Sequence, residues 1–241
     1  MDINQKGTFL NDDEYEIEIL PEDYSKYDMS FKIIVIGDQG VGKTCLTKQA
    51  IKKEFQEFYM ATVGFEFLTF NLAIGDEVIK LQIWDTCGQE AYKSLITNFY
   101  RNSSLALILY AINDKDSFEH AQKWLDDLKE QANKNVRVFL VGNKSDLEEE
   151  RVISKKEGEK FKEDKKLDKF METSAKTGEN AQYALVEAAK LLYKDYKKVQ
   201  QDLANRGGQD NQNNQQVNKL ELKEERNIEE IRTKKKCCLL N

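Results

Sequence analysis

The segment with the clearest chemistry is GDQGVGKT, which runs from Gly37 to Thr44. It fits the pattern G-x-x-x-x-G-K-[ST], whose glycines let backbone N–H groups wrap around phosphates. A strand pattern precedes it and helical spacing follows, so a helix N-terminus adds positive potential. Lys43 would reach the β- and γ-phosphates, and the Thr44 hydroxyl would ligate Mg²⁺. The predicted nucleotide-binding residues here are Gln39, Gly40, Val41, Gly42, Lys43, Thr44 and Cys45.

Two further segments would read the base. In NKSD, from Asn143 to Asp146, the final carboxylate can accept hydrogen bonds from N1–H and the 2-amino group of guanine, a donor pair that adenine lacks. Asp146 would select guanine because its charge stays unpaired beside the wrong base. The stem of Lys144 would lie on the ring, and the Ala175 N–H would donate to guanine O6. The predicted base-pocket residues are Asn143, Lys144, Asp146, Ser174, Ala175 and Lys176.

The segment WDTCGQE, from Trp84 to Glu90, carries the residues expected to act at the γ-phosphate. Asp85 would hold Mg²⁺ through water, the Gly88 N–H would meet the γ-phosphate, and Gln89 would orient the attacking water. Thr62, 19 residues after Lys43, would be a second Mg²⁺ ligand, present only with the γ-phosphate. The predicted catalytic residues are thus Lys43 and Gln89, and the predicted metal ligands are Thr44, Thr62 and Asp85.

Two aromatic residues lie between the first helix and the following strand. Phe55 would pack on the edge of the base, and Tyr59 would cover the phosphates. An ordinary core position is an equally good interpretation of Phe55.

Alternating strand and helix patterns must position these motifs. Six strands are predicted, at 31–36, 63–72, 78–84, 105–112, 136–141 and 169–173. Helices are predicted at 43–55, 117–132, from about 154, and at 181–198. This order indicates an α/β fold with a doubly wound sheet and helices on both faces. The sheet is mixed because the second and third strands form a hairpin with a turn at Gly75-Asp76.

The two ends of the chain differ in composition from the domain at 31–198. Residues 1–30 hold nine acidic residues against two lysines, which favours a disordered acidic extension over a docked regulatory segment. Residues 199–241 form a Gln/Asn-rich tail that leads to three lysines followed by Cys237 and Cys238. Those two cysteines are predicted lipidation sites.

Overall composition excludes several classes of function. The net charge of −6 gives no basic balance for nucleic-acid binding. The single histidine, His120, rules out a histidine zinc site or a Ser–His–Asp triad, and its place on an exposed-looking helix predicts no role. With no signal peptide pattern and only four cysteines, we expect a reducing, cytosolic compartment.

Together these motifs resemble the Ras superfamily, and their details resemble the Rab family. Similar segments are YMATVGFEF from Tyr59, KLQIWDT from Lys80, FYR from Phe99, LYAIND from Leu109 and ETSAKTGEN from Glu172. The resemblance covers about residues 31–198. Two positions depart from the patterns: Gln39 replaces the glycine of Ras, as in many Rab proteins, and Cys87 replaces the usual alanine.

The resemblance implies a P-loop small GTPase domain, monomeric, with slow Mg²⁺-dependent hydrolysis of GTP to GDP. It further implies a switch in vesicle traffic on the cytoplasmic face of an endomembrane, cycling with the cytosol. Expected partners are effectors, an exchange factor, a GTPase-activating protein, and an escort or dissociation inhibitor.

Several alternatives stay open. A Ras- or Rho-like signalling GTPase and a nucleotide-locked module without hydrolysis are the competing functions. For the anchor, CLLN can be read as a CaaX box with one prenyl chain on Cys238, or both cysteines carry geranylgeranyl groups as in the Rab ending. A final asparagine is unusual in a CaaX box, which favours the second route.

Overall fold

The computed structural model describes residues 9–10, 15–56, 65–86 and 99–205 of the 241-residue chain. Seven positions discussed above lie outside the described residues: Tyr59, Thr62, Cys87, Gly88, Gln89, Cys237 and Cys238. The roles assigned to them therefore stay predictions.

The described residues form one mixed sheet of eight strands in the order β1-β2-β4-β5-β3-β6-β7-β8. The strands are Phe9–Leu10 (β1), Glu16–Leu20 (β2), Met29–Gly37 (β3), Phe65–Ile74 (β4), Glu77–Thr86 (β5), Leu105–Ala111 (β6), Arg137–Asn143 (β7) and Lys169–Glu172 (β8). The neighbouring strands β5, β3, β6, β7 and β8 pair in parallel, whereas the pairs β1–β2, β2–β4 and β4–β5 are antiparallel. The carboxyl ends of β3, β5, β7 and β8 therefore meet at one edge, where open α/β sheets bind ligands.

The structure describes four α-helices: Lys43–Lys52 (α1), Lys115–Gln131 (α2), Lys155–Lys165 (α3) and Ala181–Asn205 (α4). Ser154 begins α3 with a capping box, because its hydroxyl and the Glu157 carboxylate each bond the other residue's backbone N–H. All seven residues of β6 are buried, so both faces of the sheet are covered at its centre, as predicted. No helix within the described ranges is long and apolar enough to cross a membrane.

Two predictions are wrong for the described part of the N-terminal extension. It is not disordered there, and the sheet has eight strands, not six. Residues Ile17–Leu20 pair with Asn71–Ile74 of β4, and Phe9–Leu10 pair with Glu16–Ile17, so the extension adds two strands to the sheet. The acidic composition concealed an alternating pattern, in which Ile17 is fully buried while Glu16 and Glu18 face solvent.

Side chains of the β-hairpin hold the chain between β2 and β3 in place. The buried amide of Asn71 donates to the carbonyls of Pro21 and Glu22 at 2.9 and 3.1 Å. The ammonium of Lys80 lies 3.9 Å from the centre of the Tyr27 ring. These contacts make residues 15–28 an integral part of the domain edge.

Truncating Ile17 should therefore destabilise the whole domain. Because Ile17 has no exposed surface, we expect Ile17→Ala to lower the free energy of unfolding by about 2–5 kcal/mol. The measurement is chemical denaturation in saturating GDP. Glu18→Ala, an exposed position of the same strand, is the control and should cost little. Equal stability of the two variants would show that the extension does not pack on β4 in solution.

Candidate functional site

The glycine-rich loop follows β3 at the binding edge and leads directly into α1. Gly42 has φ +93°, and a Cβ there would lie 2.4 Å from the Asn143 amide nitrogen, so the loop conformation requires glycine. The ammonium of Lys43 folds back over the loop and donates to the carbonyls of Gly37 and Asp38 at 2.8 and 2.7 Å. The loop thus holds a buried cation where its backbone curls, as phosphate binding requires.

Thr44 and Asp85 form a pair of oxygen donors suited to Mg²⁺. The Thr44 hydroxyl donates a hydrogen bond to Oδ2 of Asp85, and the Asp85 side chain is fully buried. The other carboxylate oxygen, Oδ1, is buried without a hydrogen-bond partner among the described residues. Burial raises the pKa of Asp85 to about 6, against the smaller opposing effects of Thr44 and Lys43.

This donor set fits a divalent cation. A hydroxyl and a carboxylate are hard oxygen ligands, and the orphaned Oδ1 is where a metal-bound water would find its acceptor. Mg²⁺ would supply positive charge to the phosphates and would keep Asp85 ionised. The Thr44 oxygen can ligate the ion while its O–H still donates to Asp85, and this hydrogen bond orients the hydroxyl.

Asn143 ties the phosphate loop to the two base-reading segments. Its side chain is fully buried; Nδ2 donates to the Val41 carbonyl at 2.8 Å, and Oδ1 accepts from the Thr173 hydroxyl and the Ala175 N–H. With its polar atoms engaged inside the protein, Asn143 positions the three loops. The sequence assigned it to the nucleotide without revealing this bridging role.

The predicted base-reading carboxylate is oriented by the segment after β8. Oδ1 of Asp146 accepts from the Ser174 hydroxyl at 2.5 Å, which leaves the carboxylate edge partly accessible. Glu179 supports the same corner, because it accepts from the Ser145 hydroxyl at 2.9 Å while its carbonyl accepts from the Ser174 N–H. These hydrogen bonds join the two segments, 28 residues apart, into one wall of the predicted base pocket.

A model of the family described as "Ras: Ras family" matches residues 32–194 of this chain, more than half of its length. The chain belongs to the Ras family. Members of that family are small GTPases, so guanine nucleotide binding, GTP hydrolysis and a general switch function follow from the match, as does the α/β P-loop fold.

Four further predicted residues of this Ras-family site are described: Cys45, Phe55, Lys144 and Lys176. Cys45 is half-buried, and burial raises the pKa of its thiol, so it is a packed thiol and not a reactive one. Phe55 is 38% exposed just after α1, which argues against the core position. Lys144 adopts φ +68°, and Lys176 is exposed beside the pocket.

Sequence reasoning missed a group of side chains behind the phosphate loop. The Asp38 carboxylate accepts from Trp124 Nε1 at 2.7 Å and contacts His120 Nδ1 at 2.6 Å. His120, predicted to have no role, is therefore linked to the loop of this Ras-family protein. Because 82 and 86 residues separate the partners, no local spacing indicates the contact.

Proposed function

We propose that this protein is a Rab-type switch, which in its GTP state recruits effectors to an internal membrane and so regulates vesicle trafficking. The proposal goes beyond Ras-family membership and draws on the Rab-like segments quoted above, above all KLQIWDT from Lys80 to Thr86.

The observation that carries the proposal is an aromatic cluster next to the two segments that hold the predicted γ-phosphate residues, 57–64 and 87–98. The ring centres of Phe65, Trp84 and Phe99 lie 4.7–5.4 Å apart, and the two phenylalanines are partly exposed. Phe65 directly follows 57–64 and Phe99 directly follows 87–98, which hold Thr62, Gly88 and Gln89. Aromatic surfaces of this kind dominate binding energy at protein interfaces. A change at the γ-phosphate would therefore alter the aromatic surface that a partner protein contacts.

The tail supports attachment to a membrane. Lysines at 234–236 precede Cys237 and Cys238, and each would contribute about 1 kcal/mol near an anionic leaflet, too little to anchor alone. One short acyl chain holds only reversibly, whereas two long chains hold firmly. Two geranylgeranyl chains would in turn require a soluble escort or dissociation inhibitor to extract the protein.

The same reasoning implies partners that set the rate of the cycle. No arginine in the sequence is an obvious candidate to act at the γ-phosphate from within the chain, so a GTPase-activating protein would supply the charge that speeds hydrolysis. An exchange factor would open the buried Thr44–Asp85 pair to release GDP. The protein would act as a monomer on the cytoplasmic membrane face and cycle with the cytosol.

Mass spectrometry of the C-terminal peptide from cells tests the anchor. We expect geranylgeranyl groups on both Cys237 and Cys238, with the last three residues retained. One prenyl group on a methylated Cys238, with those residues removed, would contradict the Rab route and support the CaaX alternative.

Imaging tests the trafficking role itself. An N-terminally tagged protein should coincide with a marker of one endomembrane compartment, and the double variant Cys237→Ser/Cys238→Ser should become cytosolic. The matched control Asn213→Ser, in the Gln/Asn-rich part of the tail, should keep the membrane signal. Exclusive plasma-membrane labelling would contradict the proposal and favour a Ras- or Rho-like signalling protein.

A further inference from the structure

The phosphate loop is held from behind by helix α2. Both carboxylate oxygens of Asp38 are engaged: Oδ1 accepts from Trp124 Nε1 at 2.7 Å, and Oδ2 lies 2.6 Å from His120 Nδ1. Trp124 is 8% exposed, so it forms a fixed anchor. His120 is about half exposed and is the arm that can take up a proton from solvent.

Asp38 is an unfavourable charge for a loop that binds phosphates. The residue lies within the glycine-rich stretch, and its own carbonyl accepts from Lys43, the cation that serves the phosphates. A carboxylate in this place repels a polyphosphate, and the repulsion grows from GDP to GTP. The Trp124 N–H donates without cancelling the charge, whereas a protonated His120 cancels it.

We propose that His120 is a positioning residue for the phosphate loop, and that its protonation strengthens the hold on nucleotide through Asp38. The proposal requires only that the chain binds a guanine nucleotide, as its family does. It is independent of the trafficking role.

The direction of the effect follows from the charges around the imidazole. The hydrogen bond to Asp38 and the charge of Asp38 raise the pKa of His120 above its usual value; on its own helix Asp116 also raises it, and Lys123 lowers it. The charged pair is therefore complete below about pH 6.5 and is lost as the pH rises through the raised value. A neutral imidazole can still donate from Nδ1. The increase in pH therefore removes the positive charge of His120, while the hydrogen bond to Asp38 can remain.

The test is the rate at which a fluorescent GDP leaves the full-length protein in saturating Mg²⁺, measured from about pH 6 to about pH 8. We expect release to be about two- to fivefold slower at the acidic end, the range set by an exposed ion pair. His120→Asn keeps an amide donor near the position of Nδ1 and cannot be charged. The GDP release rate of His120→Asn should therefore lack this two- to fivefold difference between the acidic and the alkaline end. Any other group that titrates in this range, such as the terminal phosphate, does so in both proteins, so the difference between the profiles isolates His120.

Each outcome decides the proposal. Parallel pH profiles for the wild type and His120→Asn would overturn it. Failure to load GDP at all would contradict Ras-family function in this chain and would remove the proposal with it. Loading with divergent profiles supports both.

A second measurement avoids dependence on kinetics. Because His120 is the single histidine of the chain, its imidazole NMR signal in untagged protein is unambiguous. Its pKa should fall in Asp38→Asn, and by reciprocity should be higher with a non-hydrolysable GTP analogue than with GDP. An unchanged pKa in Asp38→Asn would show that the two side chains do not interact in solution.

Discussion

Asp146→Asn will convert the protein from a guanine to a xanthine nucleotide binder. The amide NH₂ would donate to the C2 carbonyl of xanthine, which stands where guanine carries its amino group. Its Oδ1 can still accept from Ser174, as the carboxylate does at 2.5 Å, so the pocket wall should persist. We expect GTP affinity to fall at least about a thousandfold, since sites built around hydrogen bonds reject mismatched ligands by 10⁴–10⁵.

Competition by GTP, XTP and ATP measures this change, against a fluorescent GDP on the wild type and a fluorescent XDP on Asp146→Asn. Glu149→Gln, which removes an exposed charge nearby, is the matched control and should leave GTP affinity unchanged. Equal displacement by ATP and GTP in the wild type, or GTP preference retained by Asp146→Asn, would refute the assignment of Asp146.

Thr44→Asn should trap the protein in its GDP-bound or empty form. Thr44 is buried and donates to Asp85, so its replacement removes the predicted metal ligand and a hydrogen bond to the carboxylate. Because Mg²⁺ matters most to the triphosphate, the ratio of GTP to GDP affinity should fall about tenfold or more, the cost of one interaction with a charged group.

The control for this change is Thr44→Ser, which keeps the hydroxyl and should keep the ratio. Both affinities are measured by nucleotide exchange with and without excess Mg²⁺. A Thr44→Asn protein with an unchanged ratio would show that Thr44 is not a metal ligand.

The parts of this molecule that could be predicted from sequence are those specified locally. The phosphate loop, from Gly37 to Thr44, and the base segment, from Asn143 to Asp146, each follow a strand along the chain. Parallel pairing then brings them to one edge of the sheet. Hydrophobic alternation likewise indicated the β-hairpin, and the continuous apolar run at 105–112 indicated a buried strand.

What could not be predicted depends on contacts between distant residues. The strand Glu16–Leu20 was missed because the many acidic residues of this segment indicated disorder. Its alternation of apolar and acidic residues is short, and pairing with β4 stabilises it. The link from Asp38 to His120 and the three bonds of Asn143 arise where separate loops meet. Such polar contacts have no period in the sequence, so only the folded arrangement reveals them.

A single-turnover experiment tests the central claim, that this chain is a GTP/GDP switch. Purified protein is loaded with GTP, Mg²⁺ is added, and protein-bound nucleotide is followed by chromatography. The account predicts slow conversion, on the order of 10⁻⁴ to 10⁻² s⁻¹ without a partner, with the GDP formed staying on the protein. Rapid multiple turnover near the roughly 10 s⁻¹ of an ordinary enzyme, or no hydrolysis at all, would contradict it.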